Sequence, residues 1–195
     1  ACGENDDIDK IIPLNDMKGY ELLKATMFGF GYPNYGVALL LKEEATGKIF
    51  LQRVKITGSN AKPRILEIFK DEVIGLPGIP TVSALPLNGP EYMFFAVDKN
   101  VYCLDLNNIT KPVTLYKSFD ANVVAMNAES ETYSCAHMAV GLENGEFYIL
   151  MIYGAKNLSE EEKVIYPKHG AAYPAEERMG RIVDIKYKQL NHWNY

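Results

Sequence analysis

Few side chains in this sequence are of types that do chemistry, and their spacing narrows the choice further. The three histidines are His137, His169 and His192. His137 lies in an apolar, strand-like run beside Met138, where a hydrogen-bonded core imidazole is the simpler account than a metal ligand. His169 and His192 have no second ligand three or four residues on, and neither HExxH nor CxxC occurs, so zinc has weak support. DKNVYCLDLNN puts Asp98, Asn100 and Asp105 at the wrong intervals for an EF-hand calcium loop. There is no GxSxG elbow for a serine nucleophile. The motifs therefore assign no catalytic residue, no metal ligand and no cofactor. Carboxylates such as Glu91, Asp98 and Asp184 could serve a glycosidase, but such a pair is assembled in three dimensions and spacing cannot pick it out.

GFGYPNYG (29–36) has Gly29 and Gly31, but Asn34 stands where a dinucleotide fingerprint needs its third glycine, and no βαβ context surrounds it. Two readings remain. Tyr32 and Tyr35 can lay their rings against sugar faces as a ligand-binding surface, or a Gly-Pro-Asn turn packs both rings on neighbouring residues. The sequence holds thirteen tyrosines and ends NHWNY, and amphipathic aromatics suit both interfaces and strand surfaces.

The cysteines are Cys2, Cys103 and Cys135. In ACGENDD, Cys2 is followed by Gly and then acids. It reads as the acylated first residue of a mature bacterial lipoprotein, with Ala1 the end of a signal peptide; the alternative is a chance cysteine on a frayed end. A lipid on Cys2 would anchor the protein to a membrane rather than thread it through. No apolar run approaches the roughly 20 residues of a spanning helix. Cys103 and Cys135 sit in apolar runs (VYCLDL, YSCAHMAV), either as a disulfide or as two buried free thiols.

The elements that must position these residues follow from composition and pattern. A hydrophobic fraction of 48% with 23% charged residues can fill a core, and 195 residues suit one domain. The net charge of −5 and the lack of any Lys/Arg cluster argue against nucleic acid as a partner. Residues 1–20 are polar and acidic, with Glu4, Asp6, Asp7 and Asp9, and read as a lipoprotein tether; 21–195 read as a single all-β domain. Strands are expected near 21–28, then at VALLLK (37–42), KIFLQRVKI (48–56), RILEIF (64–69), TVSALPL (81–87) and YMFFAV (92–97). They continue with VYCLDL (101–106), VTLYKSF (113–119), NVVAMNA (122–128), YSCAHMAVGL (133–142), EFYILMIY (146–153), KVIYP (163–167) and GRIVDIKYK (180–188). Only NLSEEEKV (157–164), with Ser159 as N-cap and Glu162 three on, looks like a helix start.

A repeat organises these strands. The hairpins VALLLKEEATGKIFLQRV, MFFAVDKNVYCLDL and HMAVGLENGEFYILMI align with Phe50, Tyr102 and Tyr148 as equivalent anchors, at intervals of 52 and 46 residues. A period of roughly 40 to 50 residues with about four strands per unit is the pattern of β-propeller blades. The expected fold is all-β, with three propeller-like hairpin repeats plus one further strand; the alternative is a two-sheet β-sandwich. An unfinished ring would leave the flanks of its first and last blades exposed. It would then need a second copy or another subunit, unless RIVDIKY pairs back onto the first hairpin.

HMAVGLENGEFYILMI, followed by GRIVDIKYK, resembles the C-terminal region of the PKD-like surface lipoproteins of Bacteroidetes, and CGENDD resembles the acidic surface-export signal of that phylum. The resemblance implies an outer-membrane, cell-surface lipoprotein attached through Cys2, with propeller-like repeats, often encoded beside TonB-dependent nutrient transporters. It carries no catalytic residue. The expected function is a surface-anchored binding or accessory module for capture of a glycan or peptide nutrient, or for holding a protein partner or a second copy. The alternatives are a propeller glycosidase or lyase, and a structural subunit of an envelope complex.

Overall fold

A computed structural model of the chain describes residues 17–29, 35–59, 62–86, 92–132, 135–153 and 184. The expected strands KVIYP and GRIVDIKYK and the helix start NLSEEEKV lie outside the described residues, Asp184 excepted. Eleven strands are described: β1 (Tyr20–Gly29), β2 (Tyr35–Glu43), β3 (Ile49–Ser59), β4 (Lys62–Glu72), β5 (Val82–Ala84), β6 (Tyr92–Val97), β7 (Asn100–Asp105), β8 (Thr114–Ser118), β9 (Val123–Thr132), β10 (Cys135–Leu142) and β11 (Phe147–Tyr153). Every pairing among them is antiparallel. The fold is all-β: β1-β2-β3-β4, β5-β6-β7-β8 and β9-β10-β11 form three sheets in which each strand lies beside its neighbour in sequence, and none of them is closed. Among the described residues no helix is long and apolar enough to cross a membrane.

Local chemistry explains the elements. Val97 pairs with Asn100, so Asp98 and Lys99 form a two-residue hairpin loop, with Asp98 in the left-handed region at φ 52°. Asp tolerates that conformation better than most residues, which suits DK to this turn. At the equivalent loop of the third sheet, Gly145 takes φ 89° and the Glu146 N–H donates to Asn144 Oδ1 at 3.1 Å. The strand expected over 81–87 shrinks to Val82–Ala84, because Pro80 and Pro86 flank it and neither has an N–H for a ladder.

Two apolar interfaces hold the sheets together. The first and second sheets meet through Ala38, Leu40 and Leu51 against Met93, Phe95 and Leu104. The second and third meet through Phe94, Val101 and Cys103 against Met126, Met138 and Leu150. All six residues of YMFFAV are buried, since a strand sends alternate side chains to opposite faces and both faces of the middle sheet are covered.

The repeat expected from Phe50, Tyr102 and Tyr148 appears as three corresponding positions near the starts of β3, β7 and β11. Tyr102 and Tyr148 are on the face turned toward the preceding unit, and Phe50 is on the face of the first sheet away from the second. Phe50 lies opposite the Leu40–Leu51 face, Tyr102 lies on the Leu104 face, and Tyr148 packs into the second interface. Short connections join the units. The Phe119 N–H donates to the Lys99 carbonyl at 2.9 Å and the Val123 N–H to the Asp98 carbonyl at 2.8 Å, tying the second hairpin loop to the start of β9. The first strands are neighbours: Thr81 Oγ1, just ahead of β5, reaches the Val123 carbonyl at 3.2 Å, and Lys24 on β1 reaches β5.

The outward faces of the first and third sheets differ from the exposed flanks expected of an unfinished ring. Leu39, Leu41 and Val54 are 2%, 0% and 2% exposed, and Ala125 and Ala139 are 3% and 1% exposed.

Candidate functional site

Where the first strands meet, polar groups interrupt an apolar interface. A bulge between Leu22 and Lys24 precedes the pairs Lys24↔Leu40 and Thr26↔Ala38, which place Lys24 and Thr26 on the face turned to the second sheet. Ser83 pairs with Phe95 and so looks back toward the first sheet. Lys24 Nζ donates to the Ser83 carbonyl oxygen at 2.7 Å. Burial holds the Lys24 ammonium below its ordinary pKa, and the Asp184 carboxylate acts in the opposite direction. Thr26 Oγ1 and Ser83 Oγ are buried, with no hydrogen-bond partner among the described residues.

A lysine of lowered pKa beside a serine raises the prospect of a Ser–Lys nucleophile. The geometry does not assemble one. Lys24 Nζ binds the serine's carbonyl and not its hydroxyl, and Ser83 is 1% exposed, out of a substrate's reach. The cluster instead ties β1 to β5 with one charge-assisted, partly buried hydrogen bond.

A second polar group lies in the interface between the second and third sheets. Burial pushes the Tyr92 hydroxyl up to about 12, with the Asp105 carboxylate and Cys103 adding to it. Burial, then Cys103, raises the Tyr116 pKa further still. Cys103 is buried, and the ring of Tyr116 meets Phe94 edge-on with centroids 5.2 Å apart. Both hydroxyls stay protonated at neutral pH.

The residues singled out in the sequence are dispersed. Cys2 and Tyr32 lie outside the described residues. Tyr35 opens β2, paired with Gly29 at the end of β1, and its side chain is outside the described set. Tyr35 is thus at the far end of β1 from Tyr20, where the polar leader enters. Ten residues of strand separate those ends by roughly 30 Å. His137, expected in the core, lies on the face opposite Met138, half-buried, with Glu129 and Met151 as cross-strand neighbours. The strand was read correctly, but alternation turns His137 away from the cluster that Met138 joins. Cys135 opens β10 opposite Tyr153. His169, His192 and Glu91 lie outside the described residues. Asp98 is a turn former, and Asp184 is the carboxylate that acts on Lys24.

Sequence reasoning missed Lys24, Thr26 and Ser83. The available signal was a lysine inside the apolar run ELLKATMF, a strand interior where a charge costs burial energy unless it has a partner. A comparison with protein-family models finds no match, and neither does a comparison with curated protein sequences.

Proposed function

We propose that this protein is a surface-anchored lipoprotein of the outer membrane. It acts as a binding or accessory module, with Cys2 as the lipid-attachment residue and the GFGYPNYG loop as its ligand-facing element. The observation that carries the reading is the direction of β1. The leader with CGENDD joins the fold at Tyr20, and the loop with Tyr32 and Tyr35 follows Gly29 at the other end of the same strand. A membrane tether at one end then presents the aromatic loop at the other, away from the lipid surface. Sugar faces are the ligand class that paired tyrosine rings suit, and nutrient glycans are the class that the resemblance to PKD-like lipoproteins favours.

The architecture we propose is a set of propeller-like blades. In its support, the sheets follow one another in chain order, their first strands are neighbours, and both faces of the middle sheet are covered.

The test has two arms. Full-length protein in its native host should incorporate labelled palmitate and partition into detergent, and Cys2→Ala should release it as a soluble protein. On a glycan array, Tyr32→Ala and Tyr35→Ala should each lower the signal at least tenfold without a change in melting temperature. Absence of palmitate label overturns the anchor, and glycan binding unchanged by both substitutions overturns the aromatic loop as the ligand surface.

A further inference from the structure

Asn144 and Gly145 lie in the loop that joins β10 to β11. An asparagine followed by glycine carries a latent reaction, because glycine has no Cβ to shield its amide nitrogen from the neighbouring carboxamide. Having lost its proton to hydroxide, the Gly145 nitrogen can attack Asn144 Cγ. The new C–N bond closes a cyclic imide, and the bond to the side-chain nitrogen breaks and releases ammonia. Water then opens the imide at either carbonyl, leaving aspartate or isoaspartate. In sum, carboxamide and water give carboxylate and ammonia, with nothing oxidised or reduced.

In the closed hairpin both reacting groups are engaged. The Gly145 N–H donates to the Leu142 carbonyl at 3.1 Å, and the Glu146 N–H donates to Asn144 Oδ1 at 3.1 Å. An amide that donates a hydrogen bond gives up its proton less readily, and a carboxamide held by its oxygen is less free to turn its carbon toward the nitrogen. Gly145 is buried and Asn144 half-buried, which limits the approach of hydroxide and water. Two more bonds fasten the loop. The Leu142 N–H donates to the Glu146 carbonyl at 2.8 Å across its neck, and the Glu143 N–H donates to the Asn122 carbonyl at 2.9 Å, just ahead of β9. Gly145 takes φ 89°, so the turn needs glycine at the position that makes the reaction easy.

We propose that Asn144 is a deamidation site controlled by the β10–β11 hairpin: the closed turn restrains the reaction, and opening of the loop releases it. The rate of modification then follows the open population of the third sheet. The isoaspartate product would lengthen the loop by one backbone carbon and set a charge between Glu143 and Glu146. This inference is independent of the lipid anchor and of any ligand.

Peptide mapping of the full-length protein tests it. The chain is incubated at mildly alkaline pH, in native buffer and in concentrated urea, and tandem mass spectrometry separates Asn144 from Asn88, which also precedes a glycine. Deamidation at Asn144 should be at least about tenfold slower in native buffer than in urea. Leu142→Ala keeps the Asn-Gly pair and every backbone donor and acceptor, but removes a fully buried anchor of the loop from the second interface. It should speed the native reaction severalfold, whether it loosens the hairpin or unfolds the domain, and leave the rate in urea unchanged. Equal rates in native buffer and urea overturn the proposal, as does a native rate that Leu142→Ala does not alter.

Discussion

The ring of Phe119 lies against that of Tyr148, with centroids 5.0 Å apart and planes at 51°. Phe119 follows the last strand of the second sheet, and Tyr148 is near the start of β11 in the third, so the contact seals one unit to the next. At the corresponding position of the first unit, Phe50 takes the edge of Tyr20 at 5.5 Å, and Lys70 Nζ stands 3.6 Å over the Tyr20 ring. The anchor aromatics thus do the same work in two units: each receives a ring from chain outside its own hairpin.

Phe119→Ala should cost about 3 kcal/mol, at the low end of the range for buried Phe-to-Ala changes, because Phe119 retains slight exposure. Combined with Tyr148→Leu in a double-mutant cycle, the coupling should be about 1 kcal/mol, the usual worth of an aromatic pair beyond its area. Urea unfolding measures both. Strict additivity would show that the rings merely adjoin.

Alkaline pH should unfold the protein through its buried phenols. The unfolded chain ionises Tyr92 at its ordinary value of 10.0, whereas the folded chain holds the proton up to about 12. Stability from this group is complete below pH 10 and is lost as pH rises toward 12; Tyr116 acts in the same direction. Lys24 opposes them: its folded pKa is lowered from 10.5, so its cost to folding is relieved as pH rises. Tyr92→Phe should therefore flatten the fall in the denaturant midpoint between pH 10 and 12 relative to the native chain. Parallel curves for the two proteins would contradict the assignment.

Ser83→Ala should stabilise the protein by about 1 kcal/mol, since it removes a buried hydroxyl that has no partner among the described residues and keeps the carbonyl that Lys24 binds. A loss of stability in chemical denaturation would mean that the hydroxyl is bonded in solution.

Gly75→Ala should destabilise by about 1–2 kcal/mol. Gly75 takes φ 84°, and a Cβ there would stand 3.1 Å from Pro112 Cβ, in the loop between β7 and β8. The neighbouring Val113 N–H donates to the Ile74 carbonyl at 2.8 Å, so the connection between the first and second sheets has little room to yield. Thermal melts of the single variant decide it; an unshifted transition would show that this connection relaxes freely.

The all-β class, the hairpins and the equivalence of Phe50, Tyr102 and Tyr148 were legible in the sequence, because each depends on local signals. VYCLDL alternates with period two, YMFFAV is a short apolar run, and Asn144 and Gly145 lie between two such runs. The short length of β5 has a local signal as well, since Pro80 and Pro86 break the strand on either side.

The sequence by itself thus determined the all-β class and where most of the described strands and hairpins lie. The tertiary structure alone decided which faces meet. A period of two separates the sides of a strand without saying which side finds a partner. Met138 therefore joined the cluster between the second and third sheets, while His137, one residue away, lies half-buried on the opposite face. The same holds for the polar groups. Lys24 and Ser83 are far apart in the chain and share no motif, and their 2.7 Å bond exists because two sheets pack with their first strands adjacent. Long-range packing sets that contact, and no local pattern encodes it.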